Sequence, residues 1–100
     1  MDITFHFHNI ESSEGLKEAA RKVIDKLSPQ FSRLIGATVR FKVEKVNQIV
    51  EITMNGDGGV FVAEDKTTDM YASLDLVEKK LERQIKKHKG KQHAHHARHG

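Results

Sequence analysis

The chain has no cysteine, no tryptophan, a single proline and no long apolar run. Without cysteine there is no disulfide framework, no thiolate nucleophile and no cysteine-bound zinc. No stretch approaches the ~18 apolar residues of a membrane-spanning helix. The amino terminus alternates Phe with His where a secretory signal would carry an unbroken apolar segment. A cytosolic protein without a membrane partner is therefore expected. Motifs of catalysis are equally scarce. Ser, His and Asp do not fall in a spacing that points to a triad. The glycine-rich run Asn55–Gly59 lacks the Gly-Lys-Ser/Thr ending of a phosphate loop and leads into a strand pattern. An enzyme is thus the least supported class, and no cofactor is expected.

What is present fits one modest domain. Hydrophobic residues make up 37% and charged residues 31% of the 100, enough for a two-layer core beneath a heavily solvated surface. Ile3, Phe5 and Phe7 share one face of an alternating strand. Ser12 or Ser13 then offers a capping hydroxyl, with Glu14 in the first turn of a helix carrying Leu16, Ala20, Val23, Ile24 and Leu27. Pro29 marks its stop. Gly15 in that first turn costs about 1 kcal/mol relative to Ala. Two further alternating runs follow, with Ala37, Val39, Phe41 and Val43 on one face of the first and Val50, Ile52 and Met54 on one face of the second. Val46–Gln48 is the expected connection between them. Asn55–Gly59 is a hairpin signal into Val60–Ala63. A long helix should begin near Thr68 or Asp69, bury Met70, Leu74, Val77, Leu81 and Ile85, and end at Gly90. The order βαβββα predicts an α+β fold, a four-stranded sheet with both helices packed on one face. A right-handed first crossover makes the first two strands parallel and the rest an antiparallel meander. With no strand after the second helix, a ferredoxin-like arrangement is disfavoured. The domain is expected over residues 1–90 and a flexible basic, His-rich tail over 91–100.

Charge is distributed unevenly. Residues 1–78 hold 9 Lys/Arg against 13 Asp/Glu, a net of −4, whereas residues 79–100 hold 8 against 1, a net of +7. Projected at about 100° per residue, Lys79, Lys80, Arg83, Lys86 and Lys87 fall on the half of the second helix opposite its apolar stripe. Asp75, Glu78 and Glu82 gather along one flank. A helix face that is merely solvated usually interleaves its signs for i,i+4 pairing. Here Asp75–Lys79 and Glu82–Lys86 can pair, but most of the positive charge has no partner. Clustered like charge costs stability, and a phosphate backbone removes that cost by counterion release. The first helix adds Lys22 and Lys26 on one flank and Lys17 and Arg21 on the other. Either flank can join the basic stripe. Arg33 follows that helix, and Arg40, Lys42 and Lys45 lie along the second strand, where an exposed sheet face explains them equally well. Tyr71 stands beside the apolar stripe, either half-buried with a wet hydroxyl or in contact with RNA. Lys89 and Lys91 extend the basic run. His93, His95, His96 and His99 offer imidazoles to a transition metal, but the segment has none of the fixed geometry and supporting contacts of a structural zinc site.

Four strings then resemble a known family. Phe41-Lys42-Val43-Glu44-Lys45-Val46, Asp69-Met70-Tyr71-Ala72-Ser73-Leu74-Asp75, Leu81-Glu82-Arg83-Gln84-Ile85-Lys86-Lys87-His88-Lys89, and Ile10-Glu11-Ser12-Ser13 followed by Leu16-Lys17 are similar to the ribosome hibernation promoting factor family, in order and spacing over residues 2–90. The resemblance implies a βαβββα domain akin to double-stranded-RNA-binding domains. It also implies a partner, the small ribosomal subunit and its ribosomal RNA. Members occupy the channel of messenger and of A- and P-site transfer RNA, and silence translation in stationary phase or stress. The residues expected to meet RNA are Lys22, Lys26, Arg33, Arg40, Lys42, Lys45, Tyr71, Lys79, Lys80, Arg83, Lys86, Lys87, Lys89 and Lys91. No metal site is expected, and the free chain is expected to be monomeric. Gly15 stands where the family commonly has Ala. A chain of this length lacks the extra C-terminal domain of long members, so a short-type member is implied, either a promoter of ribosome dimers or a keeper of inactive monomers. Two other readings stay open, a general double-stranded-RNA-binding module and a metal-binding protein using its tail.

Overall fold

The computed structural model describes residues 2–89. Its elements run β1 (Asp2–His8), α1 (Glu14–Leu27), a 3-10 turn (Ser28–Gln30), β2 (Leu34–Glu44), β3 (Asn47–Gly56), β4 (Gly59–Thr67) and α2 (Met70–His99). The stop expected for this helix falls on Gly90. Gly90 itself, the tail of residues 91–100 with its histidines, and Lys91 lie outside the described residues.

Local chemistry sets the boundaries. Ser13 Oγ accepts from Leu16 N at 3.2 Å and caps α1. Pro29 sits in the 3-10 turn that closes this helix. The β2–β3 turn is only Lys45–Val46, tighter than expected, because Lys45 takes the left-handed conformation (φ 57°) that lets two residues reverse the chain. Asp57 (φ 52°) and Gly58 (φ 75°) form the β3–β4 turn, both in the positive-φ region that a type I′ hairpin requires. At the start of α2, Asp69 Oδ2 accepts from Ala72 N at 3.1 Å. Ser73, fully buried, donates from Oγ to the Gln48 carbonyl at 2.6 Å, fixing this first turn to β3.

The sheet order is β1-β2-β3-β4, with β1 parallel to β2 and the other pairs antiparallel. Both helices cover one face. Val39, Phe41, Val50 and Ile52 from the sheet meet Ile24 and Leu27 of α1 and Val77, Leu81 and Ile85 of α2, all essentially inaccessible to solvent. Each such side chain contributes about 1.5–3 kcal/mol by leaving water. Phe31, just after the 3-10 turn, packs edge-on against Phe61 at 5.3 Å, and Phe61 against His88 at 5.3 Å. These contacts seat the later part of α2 on the hairpin. Gly15 lies beside Tyr71 and Lys26 beside Glu78, so the two helices run in the same direction.

Candidate nucleic-acid interface

With its apolar stripe committed to the sheet, α2 turns Lys79, Arg83 and Lys87 to solvent at i, i+4 and i+8. Among the described residues none of the three makes an ion pair. Arg83 stands between two shallow grooves, one shared with Lys79, Glu82 and Lys86 and the other with Lys80, Gln84 and Lys87. This ridge is about 12 Å long by the helical rise and carries charge that no ion pair among the described residues neutralises.

The neighbouring cations have other duties. Lys86 reaches Glu82 at 3.0 Å, and that hydrogen bond holds the Glu82 carboxyl below the usual carboxylate range. Lys80 pairs with Asp65 at 3.0 Å and donates to the Glu64 carbonyl at 3.1 Å, and Gln84 donates to the Val62 carbonyl at 2.7 Å. Lys80 and Gln84 thereby occupy the outer edge of β4. Sequence projection placed Lys80 on the solvent half, but the adjoining strand edge captures it. The Asp75–Lys79 pair that spacing allows is absent from the described ion pairs. Instead Glu78 bonds Lys26 of α1 at 2.8 Å, and this bond raises the Lys26 ammonium pKa.

That cross-helix bond decides which flank of α1 faces α2. It is the Lys22/Lys26 flank, and it meets the acidic flank of α2, so these lysines reach the ridge only across Glu78 and Glu82. Lys22 is exposed and without an ion pair among the described residues. The other flank, Lys17 and Arg21, lies over the Phe5 ring at 6.0 and 5.2 Å.

Arg33 is placed by Asp57, a residue whose sequence context marks it only as part of a turn. Asp57 accepts from Arg33 N at 2.7 Å and Ser32 N at 3.1 Å, and its own N–H donates to the Arg33 carbonyl at 3.0 Å. Those two backbone donors hold the Asp57 carboxyl below its usual range, with smaller help from the charges of Lys89 and His88. The clamp brings Arg33 toward the Lys89 end of α2. Gly56 makes it possible, since a Cβ there would stand 2.6 Å from the Arg33 carbonyl oxygen. Aspartate at the first turn position is the sequence signal that points to such a clamp.

The remaining candidates are not gathered here. Arg40, Lys42 and Lys45 belong to β2 and its turn. The side chains of Arg40 and Lys42 project from the sheet face opposite the helices, paired with Glu51 at 3.4 Å and Glu44 at 2.8 Å. Tyr71 is half exposed next to Gly15 in the first turn of α2, roughly 24 Å from Lys87 by the helical rise. Among the described residues no group of three His, Cys, Asp or Glu side chains can hold a metal ion.

Comparison with known proteins bears on this geometry. The family model described as Sigma 54 modulation protein / S30EA ribosomal protein matches residues 3–93. A ribosome hibernation promoting factor of Salmonella typhimurium is 37% identical over 95 residues, covering 95% of this chain and 100% of that one. Its counterpart in Azotobacter vinelandii is 35% identical over 92 residues, covering 92% and 86%. Among solved structures, a ribosomal subunit interface protein from Coxiella burnetii superposes with a TM-score of 0.83 at 27% identity, over 90% of this chain and 99% of that one. The N-terminal domain of Thermus thermophilus Protein Y shares the fold, with a TM-score of 0.79 at 24% identity over 87% and 98%. The βαβββα order, the parallel first strand pair and the matched family model agree: this chain belongs to the Sigma 54 modulation protein / S30EA ribosomal protein family.

Proposed function

We propose that this chain is a cytosolic ribosome hibernation factor, silencing translation under stress or in stationary phase by occupying the small-subunit channel of messenger and of A- and P-site transfer RNA. The observation that carries the reading is the exposed row Lys79, Arg83 and Lys87, without an ion pair among the described residues, on a helix backed by a four-stranded sheet. Such a row binds a phosphate backbone through counterion release and needs no base-specific contact. Relatives that match nearly end to end bear the name of hibernation promoting factor, which directs the same chemistry to ribosomal RNA. Lys89 and Arg33 extend the row, and Lys86 flanks it beside Glu82, whereas Lys22 lies beyond the acidic flank of α2 and Lys26 and Lys80 serve mainly to hold the helices and the β4 edge. Silencing by this route is steric. A folded body in the channel excludes messenger and transfer RNA and requires no catalytic group.

The test is cosedimentation with purified small subunits in competition with transfer RNA, alongside a cell-free translation assay. Transfer RNA should displace the chain, and the chain should inhibit initiation at the concentrations where it binds. Binding indifferent to transfer RNA, or equal affinity for an arbitrary RNA duplex, would reduce the reading to a general RNA-binding module.

A further inference from the structure

The sheet has two edges, and only one is closed. On β4 the outward carbonyls of Val62 and Glu64 accept from Gln84 and Lys80. On β1, among the described residues, hydrogen bonds run only to β2. β1 itself has no proline, no lysine and an unbroken register, three of the devices that otherwise guard an open edge being absent. Along it Ile3, Phe5 and Phe7 are only partly buried against the core.

The strand complements its own reverse. A second copy laid antiparallel with full overlap sets Phe5 opposite Phe5, Ile3 opposite Phe7, Thr4 opposite His6, and Asp2 opposite His8. Apolar partners then share the helix face and polar partners the other face, with an acid facing a base at each end. The helix above repeats the pattern. The outer flank of α1 reads Glu14, Lys17, Glu18, Arg21, now paired within the helix at 3.1 and 3.9 Å. Because Lys17 and Arg21 both stand over Phe5, a twofold axis at Phe5 passes close to this flank. That axis sets Lys17 opposite the second copy's Arg21, with each copy's Glu18 lying between these cations, where it can bridge them across the seam.

We propose that β1 and the outer flank of α1 form a self-complementary surface through which two copies of this chain pair, joining their sheets into one. The α2 ridge lies away from that edge and stays free on both copies. One strand and one helix flank make a small interface, so pairing is weak and the single chain expected from the sequence is the state at low concentration.

Sedimentation equilibrium on the full chain over a series into the high micromolar range tests this. The mass should rise from 11.4 kDa toward twice that value. A Glu14→Lys/Glu18→Lys variant has an all-positive flank and a Lys17→Glu/Arg21→Glu variant an all-negative one. Each alone should self-associate at least tenfold more weakly than the parent, and an equimolar mixture should pair again. Since the chain has no cysteine, Thr4→Cys mixed with His6→Cys should give a crosslinked dimer under mild oxidation far faster than Thr4→Cys alone. These two positions are exposed, so the crosslink does not depend on tolerance of the charge changes. A parent mass that stays at one chain throughout overturns the proposal. So does self-association that survives both charge variants, or a mixture of cysteine variants that crosslinks no faster than either alone.

Discussion

Replacing Lys79, Arg83 and Lys87 with Gln separates the ridge from the fold that carries it. All three side chains are exposed and free of described ion pairs, so no internal bond is lost. Glutamine has nearly the helix propensity of Lys and Arg. The change also removes two like-charge contacts at i,i+4, each worth about 0.2–0.5 kcal/mol, so the variant should melt at or slightly above the parent temperature. If each cation meets one phosphate, the slope of log affinity against log salt should become less negative by about 0.9 per residue, or roughly 2.7 for three. At about 0.15 M salt each lost contact then weakens binding about fivefold. Three weaken it on the order of 150-fold, about 3 kcal/mol. The assay is binding to small subunits over a salt series, paired with a thermal melt. Lys80→Gln is the contrasting variant, since Lys80 is engaged by Asp65 and the Glu64 carbonyl. It should lower stability slightly and leave the salt slope nearly unchanged. A triple variant with the parental slope and affinity would show the ridge to be a solvated face and refute the reasoning.

Four further outcomes follow from local geometry. Gly56→Ala places a Cβ 2.6 Å from the Arg33 carbonyl oxygen and 2.7 Å from the Phe31 ring, and should destabilise by about 1–3 kcal/mol in urea unfolding. Gly15→Ala crowds the Tyr71 hydroxyl at 3.1 Å, the end of a half-exposed side chain that can swing aside, and meets Ser13 Oγ at an ordinary 3.7 Å, so helix propensity should win by up to ~1 kcal/mol. Ser73→Ala leaves the Gln48 carbonyl without its 2.6 Å donor in a buried place, and should cost about 1–3 kcal/mol. Acid should weaken the fold: Asp57, Asp65, Glu44 and Glu82 are all held below the usual carboxylate range by hydrogen bonds. Their contribution is complete above the unfolded carboxylate pKa of about 4 and is lost as pH falls through the lowered folded values. Urea midpoints should therefore drop below about pH 4, and less steeply in Asp57→Asn.

What the sequence by itself determined is local. Strict alternation in Ile3–Phe7 and Ala37–Val43 set the buried face of each strand, because strand side chains have period two. The stripe from Met70 to Ile85 set the buried face of α2, and so placed Lys79, Arg83 and Lys87 opposite it. Ser13, Pro29 and Asp57-Gly58 set the boundaries, since caps and turns are short-range chemistry. Neighbours were decided only by tertiary packing. Periodicity says which way Lys26 and Lys80 point around their own helix, but not that Glu78 and Asp65 wait there. Those pairs arise only when α1 lies parallel to α2 and β4 lies beside it. The same holds for Asp57, whose hydrogen bonds reach residues 24 and 25 positions earlier in the chain. Arg40 and Lys42 read as basic as any ridge residue in sequence, yet the sheet stands between them and α2. Composition and pattern gave the inventory of charge. Which charges remain free for a phosphate depends on the partners that folding brings within a hydrogen bond of each one.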